Sequence, residues 1–153
     1  MCSFFKRKPV NYFSTEEQQL IVEAIQQAEH RTSGEVRIFV ESHCTYVDPV
    51  RRAKEVFNQL NMHTTAARNG VLLYVAMKDR QLAIFGDEGI HEKVGNAFWN
   101  EEVTRILTQF NKNNYSLGIS EVIRDIGEAL TLHFPYDAKT DRNELPDDIV
   151  FGK

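Results

Sequence analysis

Acidic side chains are concentrated in two stretches of this sequence, and both could supply oxygen ligands to a cation. The first is the loop Gly86-Asp87-Glu88-Gly89, in which two adjacent carboxylates lie between two glycines. The second runs from 137 to 148, where five acidic residues stand against Lys139 and Arg142 and give a local formal charge of −3. Ca²⁺ and Mg²⁺ bind such carboxylate and amide oxygens. We therefore expect a divalent-metal site, Ca²⁺ or Mg²⁺, with ligands drawn from Asp87, Glu88, Asp137, Asp141, Asn143 and Glu144.

Each stretch also has a simpler interpretation. Asp87 stands just before a predicted helix, so its carboxylate could cap the exposed amide groups at the helix N-terminus. The tail could be a solvated acidic segment, in which Lys139 and Arg142 form ion pairs that compete with a metal. The spacing is not that of an EF-hand, because the pattern Asp-x-Asp-x-Asp-Gly is absent. The sequence also lacks a His-x-x-x-His pair, a Gly-x-Ser-x-Gly elbow and a dinucleotide fingerprint, so it identifies no catalytic residue.

The elements that must position Asp87 are three predicted strands. Residues 71–77 form a nearly unbroken apolar run, which is typical of a strand covered on both faces. The polar residues 78–80 predict a tight turn, and residues 82–85 predict the returning strand of a hairpin. Residues 35–41 alternate between polar and apolar types and predict the first strand, which is joined to the second through a helix. Such strand–helix–strand crossovers are parallel.

This topology makes a geometric prediction about the loops. The third strand turns back, so its end should lie beside the starts of the first two strands. Gly34-Glu35, Asn69-Gly70 and the Gly86-Asp87-Glu88 loop are therefore expected to share one rim of the sheet. We expect Glu35, at the start of a strand, to be a surface residue.

Helix signals complete the fold prediction. Ser14 and Glu17 fit a capping box, and Asp48-Pro49 fits the start of a second helix. Apolar residues from 94 to 110 predict one kinked helix or two short ones, and a further helix ends at Pro135. Residues 149–151 could return to the sheet as an edge strand. The class is α/β, a three-layer α/β/α sandwich with a small mixed central sheet of about four strands. We divide the chain into an arm (1–12), a domain (13–135) and an acidic tail (136–153) that packs back on the domain.

Composition excludes several classes of function. An apolar content of 42%, with 26% charged residues, is typical of a globular domain. The formal charge of −4 provides no general attraction for nucleic acid. No apolar run approaches the ~20 residues that span a bilayer, and the first residues do not form a secretory signal, so we expect a cytoplasmic protein. Cys2 and Cys44 are isolated and are expected to be reduced thiols.

Several motifs, in this order, resemble a known family. They are Thr-Ser-Gly-Glu-Val-Arg (32–37), Arg-Asn-Gly-Val-Leu-Leu-Tyr-Val-Ala (68–76), Asp-Arg-Gln-Leu-Ala-Ile-Phe-Gly-Asp-Glu-Gly-Ile (79–90) and Phe-Trp (98–99). They resemble the TPM domain, which is named for a thylakoid lumen protein, a photosystem repair protein and a nematode receptor modulator. The tail at 143–147 is similar to that of small stand-alone bacterial members. The resemblance implies an α/β/α sandwich, divalent-metal binding and, as in some plant members, acid phosphatase activity.

Three hypotheses about function follow. The first is a binding or regulatory module that responds to Ca²⁺ or Mg²⁺ at its acidic loops. The second is a metal-assisted phosphomonoesterase, in which Asp87 would hold the metal that activates water and Arg68 would orient the phosphate. The third is a metal-free protein-interaction domain with an unidentified protein partner.

Overall fold

The computed structural model describes residues 12–137 and 148–152, which form four helices around one mixed sheet of four strands. The strands are β1 (Glu35–Glu41), β2 (Gly70–Ala76), β3 (Gln81–Gly86) and β4 (Ile149–Phe151), and the helices are α1 (Thr15–Glu29), α2 (Pro49–Gln59), α3 (Glu88–Asn111) and α4 (Tyr115–His133). The order across the sheet is β3-β2-β1-β4. β1 runs parallel to β2 and β4, whereas β3 is antiparallel to β2. The predicted α/β class with a small mixed sheet is confirmed.

Helices cover both faces of the sheet, which is why every residue of β1 and β2 is buried. Alternate side chains of the two strands pack against α1, α3 and α4 on one face, and these are Val36, Ile38, Val40, Val71, Leu73 and Val75. The opposite face carries Phe39, Leu72 and Tyr74, which pack against Phe57 and the rest of the apolar side of α2. The result is the expected three-layer arrangement.

The local signals in the sequence act as predicted. The Ser14 hydroxyl accepts a hydrogen bond from the Glu17 amide (3.1 Å), and the Glu17 carboxylate accepts one from the Ser14 amide (3.0 Å). Asp48 caps α2 by accepting from the amide of Val50, with Pro49 as the first helical residue. The helix from Glu88 is kinked at Gly95, whose φ of +76° lies in the left-handed region.

Two expectations have different outcomes at the edges of the sheet. Residues 149–151 do pair with β1, with Ile149 opposite Ile38. Glu35, expected at the surface, is instead buried. The expectation is wrong because Glu35 already pairs with Gly70 and its amide donates a hydrogen bond to the carbonyl of Asn69, so the first residue of β1 lies within the packed rim of the sheet. Residues 1–11 and 138–147 lie outside the described residues, and the division into arm, domain and tail stays a prediction.

The described helices are too short or too polar to span a membrane. Within residues 12–137 and 148–152, no helix is both long enough and apolar enough to cross a bilayer.

A buried carboxyl group lies between α3 and α4. Glu102 is almost wholly inaccessible, and Arg105 approaches both Glu102 (3.8 Å) and Asp125 (3.4 Å). Burial, and then the hydrogen bond and negative charge of Asp125, raise the pKa of Glu102 from 4.5 to about 8. The folded protein therefore holds a proton on Glu102 that the unfolded chain releases at lower pH.

This proton makes stability depend on pH. Because the pKa of Glu102 is raised on folding, its favourable contribution is complete below pH 4.5 and is lost as the pH rises through about 8. Glu102→Gln stays neutral, so the variant should gain stability relative to the parent as the pH rises from 5 towards 8, by at most about 1.4 kcal/mol per pH unit. Thermal unfolding across this range measures the difference. Glu92→Gln, an exposed site on the same helix, serves as control, and a constant difference for Glu102→Gln would contradict the prediction.

Candidate functional site

The rim predicted from topology is present at the amino ends of β1 and β2, and we call it the amino edge. The Glu35 amide donates a hydrogen bond to the carbonyl of Asn69 (3.3 Å), and the Asp87 amide donates one to the carbonyl of Gly70 (2.9 Å). The end of β3 and the start of α3 therefore lie directly beside the beginning of β2, which in turn lies beside β1. The structure brings Asp87 and Glu88 to the place where the sequence predicted them.

Asp87 is the most constrained residue of the amino edge. Its side chain is buried, at 4% exposure, and accepts two hydrogen bonds from Arg68, from Nε to Oδ2 (2.8 Å) and from Nη2 to Oδ1 (2.9 Å). Oδ1 also accepts from the amide of Glu88 (2.8 Å), so Asp87 caps α3. The hydrogen bond to Asp87 raises the pKa of Arg68 above its usual value. Both carboxylate oxygens are therefore engaged by the protein itself.

The backbone around this pair is equally constrained. Arg68 has a φ of +52°, and its carbonyl accepts a hydrogen bond from the Gly89 amide (2.9 Å). A Cβ at Gly89 would lie 2.2 Å from the carbonyl oxygen of Ala67, so only glycine fits at that position. The loop before β2 and the first turn of α3 are thus locked together.

Glu88 offers the accessible carboxylate of this edge. Its side chain is 68% exposed, and it contacts Nη1 of Arg68 at 3.3 Å. An exposed ion pair of this kind contributes only about 0–1 kcal/mol, so a competing ligand can displace it.

Asn69 lies at the centre of the amino edge and is 1% exposed. Its Nδ2 donates a hydrogen bond to the hydroxyl of Ser33 (3.3 Å), whereas its Oδ1 has no hydrogen-bond partner within the part of the chain that the structure describes. Buried amide oxygens normally have a partner, and an orphan acceptor requires an explanation such as a water molecule or an ion. Asn69 was not among the predicted ligands, although its place beside Arg68 in the shared rim could have identified it.

The acidic tail begins close to this edge. The Tyr136 amide donates a hydrogen bond to the carbonyl of Arg31 (3.2 Å), which brings exposed Asp137 beside the turn before β1. Asp148 immediately precedes β4, which pairs with residues 38–40 of β1. The predicted ligands Asp141, Asn143 and Glu144 lie outside the described residues. Among residues 12–137 and 148–152, no three histidine, cysteine, aspartate or glutamate side chains are grouped closely enough to hold a metal ion.

A second polar cluster lies at the opposite end of the sheet, the carboxyl edge, and sequence reasoning missed it. Glu41 accepts two hydrogen bonds from Arg52 (2.9 and 3.0 Å) and one from the hydroxyl of Tyr74. Arg52 also pairs with Glu55, which accepts a hydrogen bond from Tyr46. Burial raises the pKa of Tyr74, so its hydroxyl stays protonated. Each acidic group of this network has a donor, and the network joins β1, β2 and α2.

The turns at the carboxyl edge are held by one aspartate. Asp79 accepts hydrogen bonds from the Cys44 amide (2.7 Å) and lies 2.8 Å from Nδ1 of His43. The contact with His43, followed by the bond from Cys44, lowers the pKa of Asp79. A charged residue at the last position of a buried strand, as Glu41 is, was the signal that could have pointed to this edge.

Comparisons with known proteins agree with this fold. The profile of the TPM domain matches residues 7–129. The NMR structure of the BA42 protein from the psychrophilic bacterium Bizionia argentinensis is 39% identical, with a TM-score of 0.85, over 95% of this chain and 99% of that one. A search of curated proteins finds no match.

More distant structures share the fold alone. The N-terminal domain of the cg2496 protein from Corynebacterium glutamicum is 13% identical, with a TM-score of 0.62, over 82% of this chain and 86% of that one. The N-terminal domain of a protein from P. gingivalis is 14% identical, with a TM-score of 0.65, over 82% of both chains.

The capping role of Asp87 predicts an ordered set of stabilities. Asp87→Ala should lower the free energy of unfolding by about 1–2 kcal/mol, because the cap of α3 is lost. Asp87→Asn should cost less, since asparagine caps helices as well as aspartate does. Glu88→Ala, one residue further along, should stay within about 0.5 kcal/mol of the parent. Urea denaturation measures all three variants, and equal losses for Asp87→Ala and Glu88→Ala would contradict the assignment.

Proposed function

Because the chain belongs to the TPM domain family, we propose that it is a binding module that responds to a divalent cation at the amino edge of its sheet. The observation that supports this proposal best is the orphan oxygen of Asn69, buried at 1% exposure beside the Arg68–Asp87 pair. An amide oxygen without a hydrogen-bond partner is a hard, neutral ligand of the kind that Ca²⁺ accepts.

Charge at this edge also favours a cation. The carboxylates of Asp87 and Glu88 face one guanidinium, that of Arg68, and Asp137 lies at the same end of the sheet. A net negative charge on a surface attracts and concentrates cations. The predicted donors Asp141, Asn143 and Glu144 belong to the segment that follows Asp137 in the sequence.

Arg68 makes the proposed site responsive to the cation. It binds both carboxylates, so a metal ion that takes Glu88, and then Asp87, competes directly with the guanidinium. Two arrangements of the loop follow, one held by Arg68 and one held by metal. A ligand shifts such an equilibrium only by its difference in affinity for the two states. Which ion binds depends on how many oxygen ligands the protein provides. Ca²⁺ takes six to eight oxygens, whereas Mg²⁺ keeps several of its bound waters.

The contacts of Asp87 favour this proposal over the metal-assisted phosphomonoesterase. In the enzyme, Asp87 would hold the metal and Arg68 would orient phosphate, but the two side chains bind each other through two hydrogen bonds. Both groups would have to be released before catalysis. The binding module can engage a cation first at Glu88, which is accessible, and reaches Asp87 only as Arg68 is displaced, so these contacts support it better than the enzyme.

An NMR titration of chelator-treated protein with Ca²⁺ and then Mg²⁺ tests the proposal. We expect saturable shifts of the backbone amides at Asn69, at residues 86–89 and at Asp137. Glu88→Gln should weaken binding by about tenfold, which corresponds to about 1.4 kcal/mol. The absence of saturable shifts up to millimolar metal, or shifts confined to His43 and Asp79 at the carboxyl edge, would contradict the proposed site.

Arg68→Gln provides the sharper test, because it removes the competing positive charge. Cation affinity should rise about tenfold in this variant, and metal should restore the stability that Asp87 loses with its partner. Arg105→Gln is the matched control, since Arg105 also lies between two carboxyl groups, those of Glu102 and Asp125. An equal gain in both variants would mean that any released carboxylate pair binds metal. Hydrolysis of p-nitrophenyl phosphate by the metal-bound samples tests the phosphatase alternative.

A further inference from the structure

Helices α1 and α4 approach each other closely and leave a groove on the outer surface of the protein. A Cβ added to Gly127 of α4 would lie 2.6 Å from Cβ of Ala28 on α1, so two small residues set the distance between the helices. The groove beside this contact has a volume of about 420 Å³, and Ala24 and Ala28 are the buried apolar residues that line it.

The polar lining of the groove is mainly basic. Arg31, Arg124 and His30 lie around it, together with Gln27 and Glu128. Neither arginine forms an ion pair within residues 12–137 and 148–152, a property that they share with Arg37, Arg51 and Arg80, whereas Arg52, Arg68 and Arg105 each bind two carboxyl groups. What distinguishes Arg31 and Arg124 is that both lie around one groove, which makes this part of a protein of net charge −4 complementary to a ligand that carries carboxylates.

An apolar surface continues from the same groove. Leu132 follows Glu128 by one turn of α4 and is 76% exposed, and Tyr136, whose amide donates to the carbonyl of Arg31, is 50% exposed. Arginine and tyrosine are enriched where proteins bind each other, and large exposed apolar side chains favour such contacts. Arg124 and Leu132 are eight residues apart on α4, which is about 12 Å along the helix.

We propose that the α1–α4 groove, extended by Leu132 and Tyr136, is a docking surface for an acidic helical segment of a partner protein. The segment would place its carboxylates against Arg31 and Arg124 and an apolar side chain, about two turns away, against Leu132. Glu128 lies between these two positions and would repel a carboxylate placed opposite it, which fixes the register of the partner. This surface shares no residue with the proposed cation site, so the two proposals stand or fail separately.

The probe for this surface is a capped, alanine-based helical peptide of about 16 residues, long enough to form a helix in water. It carries two glutamates one turn apart and a leucine two turns from them. We expect saturable NMR shifts at residues 24–31 and 124–136, and weaker binding as the salt concentration rises. The same peptide with glutamine in place of glutamate should bind several times more weakly.

Variants then assign the contacts. Arg31→Gln and Arg124→Gln should each weaken binding about threefold, and the double variant about tenfold, as expected for exposed ion pairs. Leu132→Ala should weaken binding as well. Lys54→Gln, which removes one positive charge from an exposed position of α2 on the other side of the sheet, is the matched control and should leave the affinity unchanged.

Three results would overturn the proposal. The first is the absence of saturable shifts at millimolar peptide, and the second is an equal effect of Lys54→Gln and Arg124→Gln. The third is a marked rise in peptide affinity when Asp141→Asn and Glu144→Gln are combined, because that result would assign the groove to this chain's own acidic tail. The described residues changed here are all exposed, so their replacement should leave the fold intact, and circular dichroism of every variant tests this.

Discussion

The ion pair between Arg68 and Asp87 is the interaction on which the amino edge depends. Two hydrogen bonds join the side chains, and a third from the Asp87 carboxylate begins α3. The loop before β2, the end of β3 and the start of α3 are thereby fixed to one another. Gly89 belongs to the same constraint, since the backbone of residues 67 and 68 leaves no space for a side chain there. A buried carboxylate of this kind is stable only while its charge is compensated.

The ion pair between Arg68 and Asp87 also determines how a cation could bind at the amino edge. The same guanidinium that stabilises Asp87 extends to Glu88, so the loop is electrostatically satisfied without metal at Asp87 but only loosely at Glu88. Under the proposed function, metal and arginine would be alternatives at one pair of carboxylates. Such competition would give the module two states, which a fully preformed metal cage would not have. The orphan oxygen of Asn69 belongs to the residue that follows Arg68 in the same loop.

The two ends of the sheet use their polar groups differently. At the carboxyl edge, Glu41 is satisfied by Arg52 and Tyr74, so the network holds β1, β2 and α2 together as a structural clamp. At the amino edge, an accessible carboxylate and an orphan oxygen remain. A cluster whose carboxylates are all paired with donors stabilises the fold, whereas a cluster with an accessible carboxylate is a candidate site. The number of acidic residues does not make this distinction.

Local patterns in the sequence determined the elements and the class of the fold. The apolar run of β2, the capping box at Ser14 and the hairpin turn act over a few residues, and the hairpin then placed Asp87 beside Gly70, at the start of β2. Only the tertiary structure decided what the charged side chains do there. Whether Asp87 meets a cation or Arg68, and whether Glu35 is buried or exposed, depends on groups that are distant in the chain and become neighbours when the sheet forms. Electrostatic partners are set by distances in space, and a single sequence records only distances along the chain.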